Sequence, residues 1–78
     1  MGTEPARLNA AITKNIDQAL EDQNITRHEL SEMAGISKST FYRNMKYPAE
    51  KFTIRETGQI AEALGVGLLD ILKDEEPA

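Results

Sequence analysis

The sequence predicts a small all-α domain. Apolar residues recur at spacings of three and four, as they do along one face of a helix. Two segments begin with Thr followed three residues later by Glu, which is the pattern of an N-terminal capping box, and glycine follows two of the apolar segments, as it does at helix C-termini. A chain of 78 residues has room for one core, so we expect a single domain over residues 1–78, with a core of about 5–73 and a short acidic tail, 74–78.

The first helix is predicted to run from about Pro5 to Gln23 and to stop near Asn24, which can adopt a left-handed conformation. Its apolar stripe comprises Leu8, Ile12, Ile16, Ala19 and Leu20. We expect a solvated outer side that carries Asp17, Glu21 and Asp22.

The second helix is predicted to begin with a capping box formed by Thr26 and Glu29 and to end at Gly35. Its inner face is expected to comprise Leu30, Met33 and Ala34. After an apolar Ile36, Ser37 is a suitable N-cap for a third helix.

The third helix is predicted to turn Phe41 and Met45 inward, because they lie four residues apart. The opposite side would carry Lys38, Ser39, Tyr42, Arg43 and Lys46. Tyr47 precedes a proline and should end this helix, and the segment 48–51 is expected to be a surface loop.

Two further helices complete the fold. Phe52 is expected in the core, and Thr53 and Glu56 form the second capping box of a fourth helix that stops at Gly65. Gly58 within it is expected to permit a close helix contact, and the predicted inner residues are Ile54, Ile60, Ala61 and Leu64. A short fifth helix is predicted over 68–73, followed by a frayed tail.

The charge of the chain is unevenly distributed. The net charge is −4, yet the segment from Ile36 to Arg55 contains five basic residues and one acid, a local charge of +4. An acidic body with one basic surface can orient itself on a polyanion, although a chance cluster on a solvated surface is the alternative.

The segment Thr26 to Lys46 has the plan of a helix-turn-helix, in which one helix braces another that presents its outer side to the DNA major groove. The alternative is a purely architectural pair of helices. Arg43 is placed for a bidentate contact with guanine, and Tyr42 for a thymine methyl or a sugar-phosphate, unless Tyr42 is half-buried beside Met45.

The chain resembles the phage-repressor and Cro type of helix-turn-helix regulator, the xenobiotic-response-element family. The matching motifs are Glu-Leu-Ser-Glu-Met-Ala-Gly-Ile-Ser-Lys-Ser-Thr-Phe (Glu29 to Phe41), then Phe52-Thr53, then Ile60 to Val66 with Leu68 to Leu72. The resemblance covers about residues 8–73. It implies a compact five-helix, lambda-repressor-like DNA-binding domain, with the helix-turn-helix at helices 2 and 3, and usually repression of transcription.

The predicted DNA contacts follow from the motif and from the exposed polar residues beside it. Base reading is expected from Ser37, Lys38, Ser39, Tyr42 and Arg43. Phosphate contacts are expected from Thr26, Arg27, His28, Thr40, Lys46, Lys51 and Arg55, with plain solvent exposure as the alternative for His28 and for the last three.

Three residues depart from the family pattern. Ser31 replaces a small apolar residue, although its hydroxyl can bond a carbonyl one turn back. Asn44 replaces an aliphatic residue, which leaves open whether the inward face has moved to Met45. Arg27 replaces a frequent glutamine and would exchange an oriented amide contact for a charged one.

Proteins of this geometry usually bind DNA as two-fold dimers, so double-stranded DNA and a second copy on a palindromic operator are the expected partners. The fifth helix is the candidate dimer surface, through Leu68, Leu69, Ile71 and Leu72, unless these residues are all buried within one subunit. The different class that remains open is a protein-interaction module of the same fold, such as an antitoxin-like or adaptor protein.

Catalysis is not expected. Cysteine is absent and His28 is the single histidine, so a metal site or a catalytic triad would lack residues, and we expect no enzyme activity, cofactor or small-molecule substrate. No apolar stretch approaches the about 20 residues of a membrane span, which favours a cytoplasmic protein.

Overall fold

The computed structural model describes residues 4–73, with side chains from Ala6 onward, and every regular element in this range is a helix. The elements are α1 (Glu4–Gln23), α2 (Arg27–Ala34), α3 (Lys38–Asn44), α4 (Pro48–Lys51), α5 (Ile54–Leu64) and α6 (Leu68–Leu72). The all-α class is confirmed, and the five predicted helices correspond to α1, α2, α3, α5 and α6. The expectation for the tail, 74–78, lies outside the described residues.

The helix ends lie at the capping residues that the sequence predicted. The Thr26 hydroxyl accepts a hydrogen bond from the Glu29 N–H, and the Glu29 carboxylate accepts one from the Thr26 N–H. The second capping box, at the start of α5, has the same two bonds. Asn24, Gly35 and Gly65 have φ angles of 58°, 73° and 71° and end α1, α2 and α5 in the left-handed conformation.

One hydrophobic core joins all the longer helices. In the apolar stripe of α1, Ile12, Ile16 and Leu20 are buried, Ala19 is partly buried, and Leu8 lies at the edge of the core and is partly exposed. The other buried residues of this core cluster are Leu30, Ala34, Ile36, Phe41, Met45, Phe52, Ile60, Ala61, Leu64 and Ile71. Across the described range, no helix has the length and hydropathy needed to cross a bilayer.

The segment expected to be a surface loop is instead the single helical turn α4. Pro48 is fully buried, and Asn9 of α1 holds the backbone that follows it. The Asn9 Oδ1 atom accepts from the Ala49 N–H at 2.7 Å, and its Nδ2 donates to the Glu50 carboxylate at 2.9 Å. Because the side chain satisfies a first-turn N–H, the turn is stable where the sequence indicated only a proline break.

Three predictions about side-chain positions are wrong. Met33 is 53% exposed, because the buried stripe of α2 runs through Leu30, Ser31 and Ala34. Ile54 is 82% exposed, since it lies in the first turn of α5, before the part of that helix that enters the core. No atom lies within 4 Å of a Cβ built on Gly58, so this glycine permits no close helix contact.

Polar side chains of α1 donate hydrogen bonds to the ends of α3, α5 and α6. Thr13 donates to the Met45 carbonyl at 3.0 Å, at the end of α3. Asn15 donates to the carbonyls of Ile71 and Lys73, each at 2.7 Å, at the end of α6. Gln23 donates to the Leu64 carbonyl at 2.7 Å, at the end of α5. α1 therefore holds the C-terminal carbonyls of three helices.

Candidate nucleic-acid interface

The α2–α3 unit is closed by a tight turn and a buried hydroxyl. Gly35 has the left-handed conformation, and the next residue, Ile36, is buried and donates its N–H to the Ser31 carbonyl at 2.9 Å. Ser31 is itself buried, and its hydroxyl donates to the His28 carbonyl at 2.7 Å, as the sequence indicated. A polar residue is therefore accommodated between the two helices without an unsatisfied group.

The rotation of α3 is set by three inward residues. Phe41 and Met45 are buried as predicted, and Asn44 is buried between them. These positions form one stripe at spacings of three and four, so the inward face keeps the family pattern and has not moved away from Asn44. The bond from Thr13 to the Met45 carbonyl fixes the end of α3 against α1.

The outward side of α3 carries the predicted base-reading residues. The exposed residues there are Ser37, Lys38, Ser39, Tyr42 and Arg43. In the described part of the chain, neither Lys38 nor Arg43 forms an ion pair. The Ser37 hydroxyl accepts from the Thr40 N–H at 3.3 Å and so acts as the N-cap.

Tyr42 is exposed rather than half-buried. Its ring meets that of Phe41 edge to face, with centroids 6.1 Å apart and an interplanar angle of 89°. This contact supports the ring from the core side and leaves more than 40% of the residue's surface accessible to solvent. Tyr42 can therefore present its phenol to a ligand of α3.

The predicted phosphate contacts after α3 are exposed and follow one another along the surface path of the chain. Lys46 comes directly after the end of α3, Lys51 ends α4 and Arg55 lies in the first turn of α5. The Phe52 ring lies 5.8 Å from that of Phe41, which brings the start of α5 beside α3. Thr40, in the first turn of α3, is half-buried.

The predicted contacts at the start of α2 all have partners within the protein. Thr26 is the helix cap, and the His28 ring lies 3.1 Å from the Glu32 carboxylate, one turn along α2. Arg27 donates from Nε and Nη2 to the two carboxylate oxygens of Asp17, at 3.0 and 2.6 Å. No group of three or more His, Asp or Glu side chains within residues 4–73 is arranged to hold a metal ion.

Asp17 is the residue of this surface that sequence reasoning missed. It was expected on a solvated face, but its bond to the Arg27 guanidinium joins α1 to α2 and raises the pKa of that guanidinium, while partial burial of Arg27 opposes the shift. The pair spans the turn at Asn24, and no local spacing rule predicts such a contact. The contact becomes visible once the angle between the two helices is known.

The candidate dimer residues on α6 divide into two groups. Ile71 is 1% exposed and belongs to the core, which removes it from the candidate surface, and Leu72 is half-buried. Leu68 is partly exposed and Leu69 is 77% exposed. An apolar groove of about 110 Å³ adjoins them, lined by Leu8, Ile12, Pro48, Ala49, Phe52, Ile54, Thr57, Leu68 and Leu72.

A family model described as the Cro/C1-type HTH DNA-binding domain matches residues 15–77. The matched range begins within α1 and includes all of α2 and α3. Searches of curated proteins and of solved structures gave no match.

Proposed function

The chain belongs to the Cro/C1-type HTH DNA-binding domain family, and from this premise we propose that it is a sequence-specific transcriptional regulator that inserts α3 into the major groove. The observation that carries the proposal is the division of α3 into a buried stripe and an exposed polar side. On that side, the basic side chains of Lys38 and Arg43 form no ion pair within the described residues. The proposed regulator is a repressor, which acts by occupying an operator and excluding polymerase or a competing regulator.

The proposed base contacts come from the first two turns of α3. Arg43 is the best candidate for sequence reading, since a guanidinium can donate two parallel bonds to the O6 and N7 atoms of guanine. Lys38 and Ser39 lie one turn before it on the exposed side. Tyr42 would meet a thymine methyl or the sugar-phosphate.

The proposed phosphate contacts lie on either side of these base contacts. Lys46, Lys51 and Arg55 would meet one stretch of backbone, and the start of α2, with Thr26, Arg27 and His28, would meet another. Such contacts fix the register of α3 but do not read sequence. Each phosphate neutralised should contribute about −0.9 to the slope of log affinity against log salt concentration.

The proposed occupant of the apolar groove is a second copy of the chain. Four large apolar side chains are exposed in or beside the groove, on three different helices: Leu8, Ile54, Leu68 and Leu69. A single small module has limited affinity for DNA, and a two-fold dimer doubles the contacts on a palindromic operator. Half-sites one helical turn apart, about 10 base pairs, are the geometric expectation.

The test begins with selection of bound duplexes from a random DNA pool, followed by polarisation titrations of the selected sequence. Arg43→Ala should weaken binding by about 1–3 kcal/mol and relax the preference at one base pair, because a bidentate base contact is lost. Lys14→Ala is the matched control, since it removes one exposed positive charge from α1, outside the α2–α3 unit. It should leave the sequence preference unchanged.

Two outcomes would contradict the proposal. One is a random pool from which no sequence is enriched even at low salt, a result that would favour an interaction module of the same fold. The other is an Arg43→Ala variant whose affinity and preference both match those of the wild type. A palindromic selected sequence would support the dimer, whereas a single unrepeated half-site would argue against it.

A further inference from the structure

The Asp17–Arg27 pair places a carboxylate at one end of the proposed DNA surface. Asp17 belongs to α1 and Arg27 is the first residue of α2. Their side chains are 42% and 34% exposed, so the pair lies at the surface and is accessible to solvent. Arg27 is also close enough to Tyr42 of α3 for the two to interact electrostatically. The pair therefore lies near Tyr42, on the outward side of α3.

The geometry of the pair separates two properties of Arg27. The bidentate bond uses Nε and Nη2, and a guanidinium has more N–H donors than such a bond requires, so Arg27 can still donate to a phosphate oxygen. Its positive charge, however, is balanced by the carboxylate in contact with it. A neutral pair releases fewer DNA counterions than a free arginine does.

The position of α2 is set mainly by contacts other than Asp17. α2 is fixed by the buried Leu30, Ser31 and Ala34 and by its own capping box. The Asp17–Arg27 pair is partly exposed, so solvent screens its contribution to this packing. The function of the carboxylate is therefore to be sought in its effect on what approaches Arg27.

We propose that Asp17 is a charge-tuning residue of the DNA interface, which orients the Arg27 guanidinium for a phosphate and cancels its charge. This inference rests on the proposed DNA binding and adds a determinant of its strength. Phosphate attraction supplies most of the affinity for DNA of any sequence. By weakening the attraction to phosphates, Asp17 lowers non-specific affinity for DNA, so the base contacts of α3 supply a larger share of the total affinity.

The variant Asp17→Asn tests the proposal, because asparagine has the same shape and can still accept a bond from Arg27. The measurement is polarisation of a fluorescein-labelled duplex of mixed sequence at salt concentrations from about 50 to about 200 mM. Asp17→Asn should bind more tightly than the wild type at the lowest salt, with a slope steeper by about 0.9. Its affinity advantage should therefore shrink by about 3.5-fold across this range.

Glu21→Gln is the matched control. Glu21 is an exposed acid one turn further along α1, and its substitution changes the net charge equally but leaves the Asp17–Arg27 pair intact. The control should keep a slope close to that of the wild type. A thermal melt followed by circular dichroism should show that both variants remain folded.

Three results would overturn the proposal: an unchanged slope in Asp17→Asn, weaker binding by this variant, or an equal steepening in Glu21→Gln. Weaker binding would mean that Arg27 needs the full carboxylate to reach the DNA, and equal steepening would mean that net charge alone matters. If the wild type shows no salt-dependent binding, the proposed function fails and this inference fails with it. If the wild type binds and depends on Arg43 while Asp17→Asn behaves as the wild type does, only the role of Asp17 is lost.

Discussion

Ser31 is a polar residue at a place where two helices pack together, and its hydroxyl explains why it is tolerated there. The hydroxyl donates to the His28 carbonyl, one turn back on the same helix, so the side chain is buried without an unpaired donor. Asn44 shows that a second polar residue also faces inward while α3 keeps its regular stripe. At the residue scale, both departures from the family pattern leave the outward set of α3 unchanged.

Gly35 and Gly58 should respond in opposite ways to substitution by alanine. Gly35 has a φ of 73° with no atom within 4 Å of the position that a Cβ would take, so Gly35→Ala should lose about 1–2 kcal/mol of unfolding free energy from backbone strain alone. Gly58 lies inside α5 in an ordinary helical conformation with equal space, so Gly58→Ala should gain about 0.5–1 kcal/mol. Urea denaturation of both variants measures the two changes, and a destabilised Gly58→Ala would contradict this account.

At the scale of elements, the sequence predicted helix ends better than helix contacts. Capping residues such as Thr26 and Glu29 act within four residues of each other, so their pattern is visible in the chain itself. The α4 turn was missed because its stabilising partner, Asn9, lies 40 residues away from Ala49. Ile54 was misplaced because periodicity gives the direction of a side chain but not where along a helix the core ends.

The hydrogen bonds from the Asn9 side chain should be necessary for the stability of the α4 turn. Asn9→Ala removes the acceptor for the Ala49 N–H and the donor to Glu50, so we expect a loss of about 1–3 kcal/mol of unfolding free energy. In the Asn9→Ala variant, hydrogen exchange should be faster at the Ala49 amide than at amides within α5. Gln18→Ala is the control, since Gln18 is exposed on the same helix and, within residues 4–73, bonds only to Asp22; it should change stability by less than about 0.5 kcal/mol. An equal loss in both variants would show that the Asn9 bonds to Ala49 and Glu50 have no special role.

At the scale of the whole molecule, the charge is unevenly distributed along the chain. The segment from Ile36 to Arg55 contains the +4 charge, and its bases are exposed in the structure, whereas α1 contributes acids, among them Asp17. The sequence predicted this division and the outward set of α3. It did not predict the Asp17–Arg27 pair or the apolar groove, because both depend on how separate helices meet.

The proposed dimer predicts a particular response at Ile54. Because this side chain is 82% exposed beside the groove, Ile54→Lys should leave the monomer folded but place a charge in the contact between two copies. Sedimentation should then show a dimer for the wild type at high concentration and a monomer for the variant, which should also bind a palindromic duplex more weakly. Met33→Lys is the control, since it charges an exposed apolar residue outside the groove lining and should leave the association state unchanged.

If Ile54→Lys and the wild type sediment alike, the groove is not the contact between copies. If Met33→Lys also dissociates the dimer, added charge rather than position would be responsible. The wild type could also prove monomeric at every concentration, and its selected DNA sequence should then lack two-fold symmetry.

The side-chain hydrogen bonds of Asn15 in α1 have a consequence for the order in which the protein folds during synthesis. Asn15 leaves the ribosome before its partners, the carbonyls of Ile71 and Lys73, which are 56 and 58 residues further along the chain. The hydrogen bonds between α1 and the end of α6 therefore cannot form until nearly all the described residues have been synthesised. A nascent chain that ends before α6 lacks these bonds. We therefore expect the surface formed by α2 and α3 to reach its full stability only when synthesis of the described residues is almost complete.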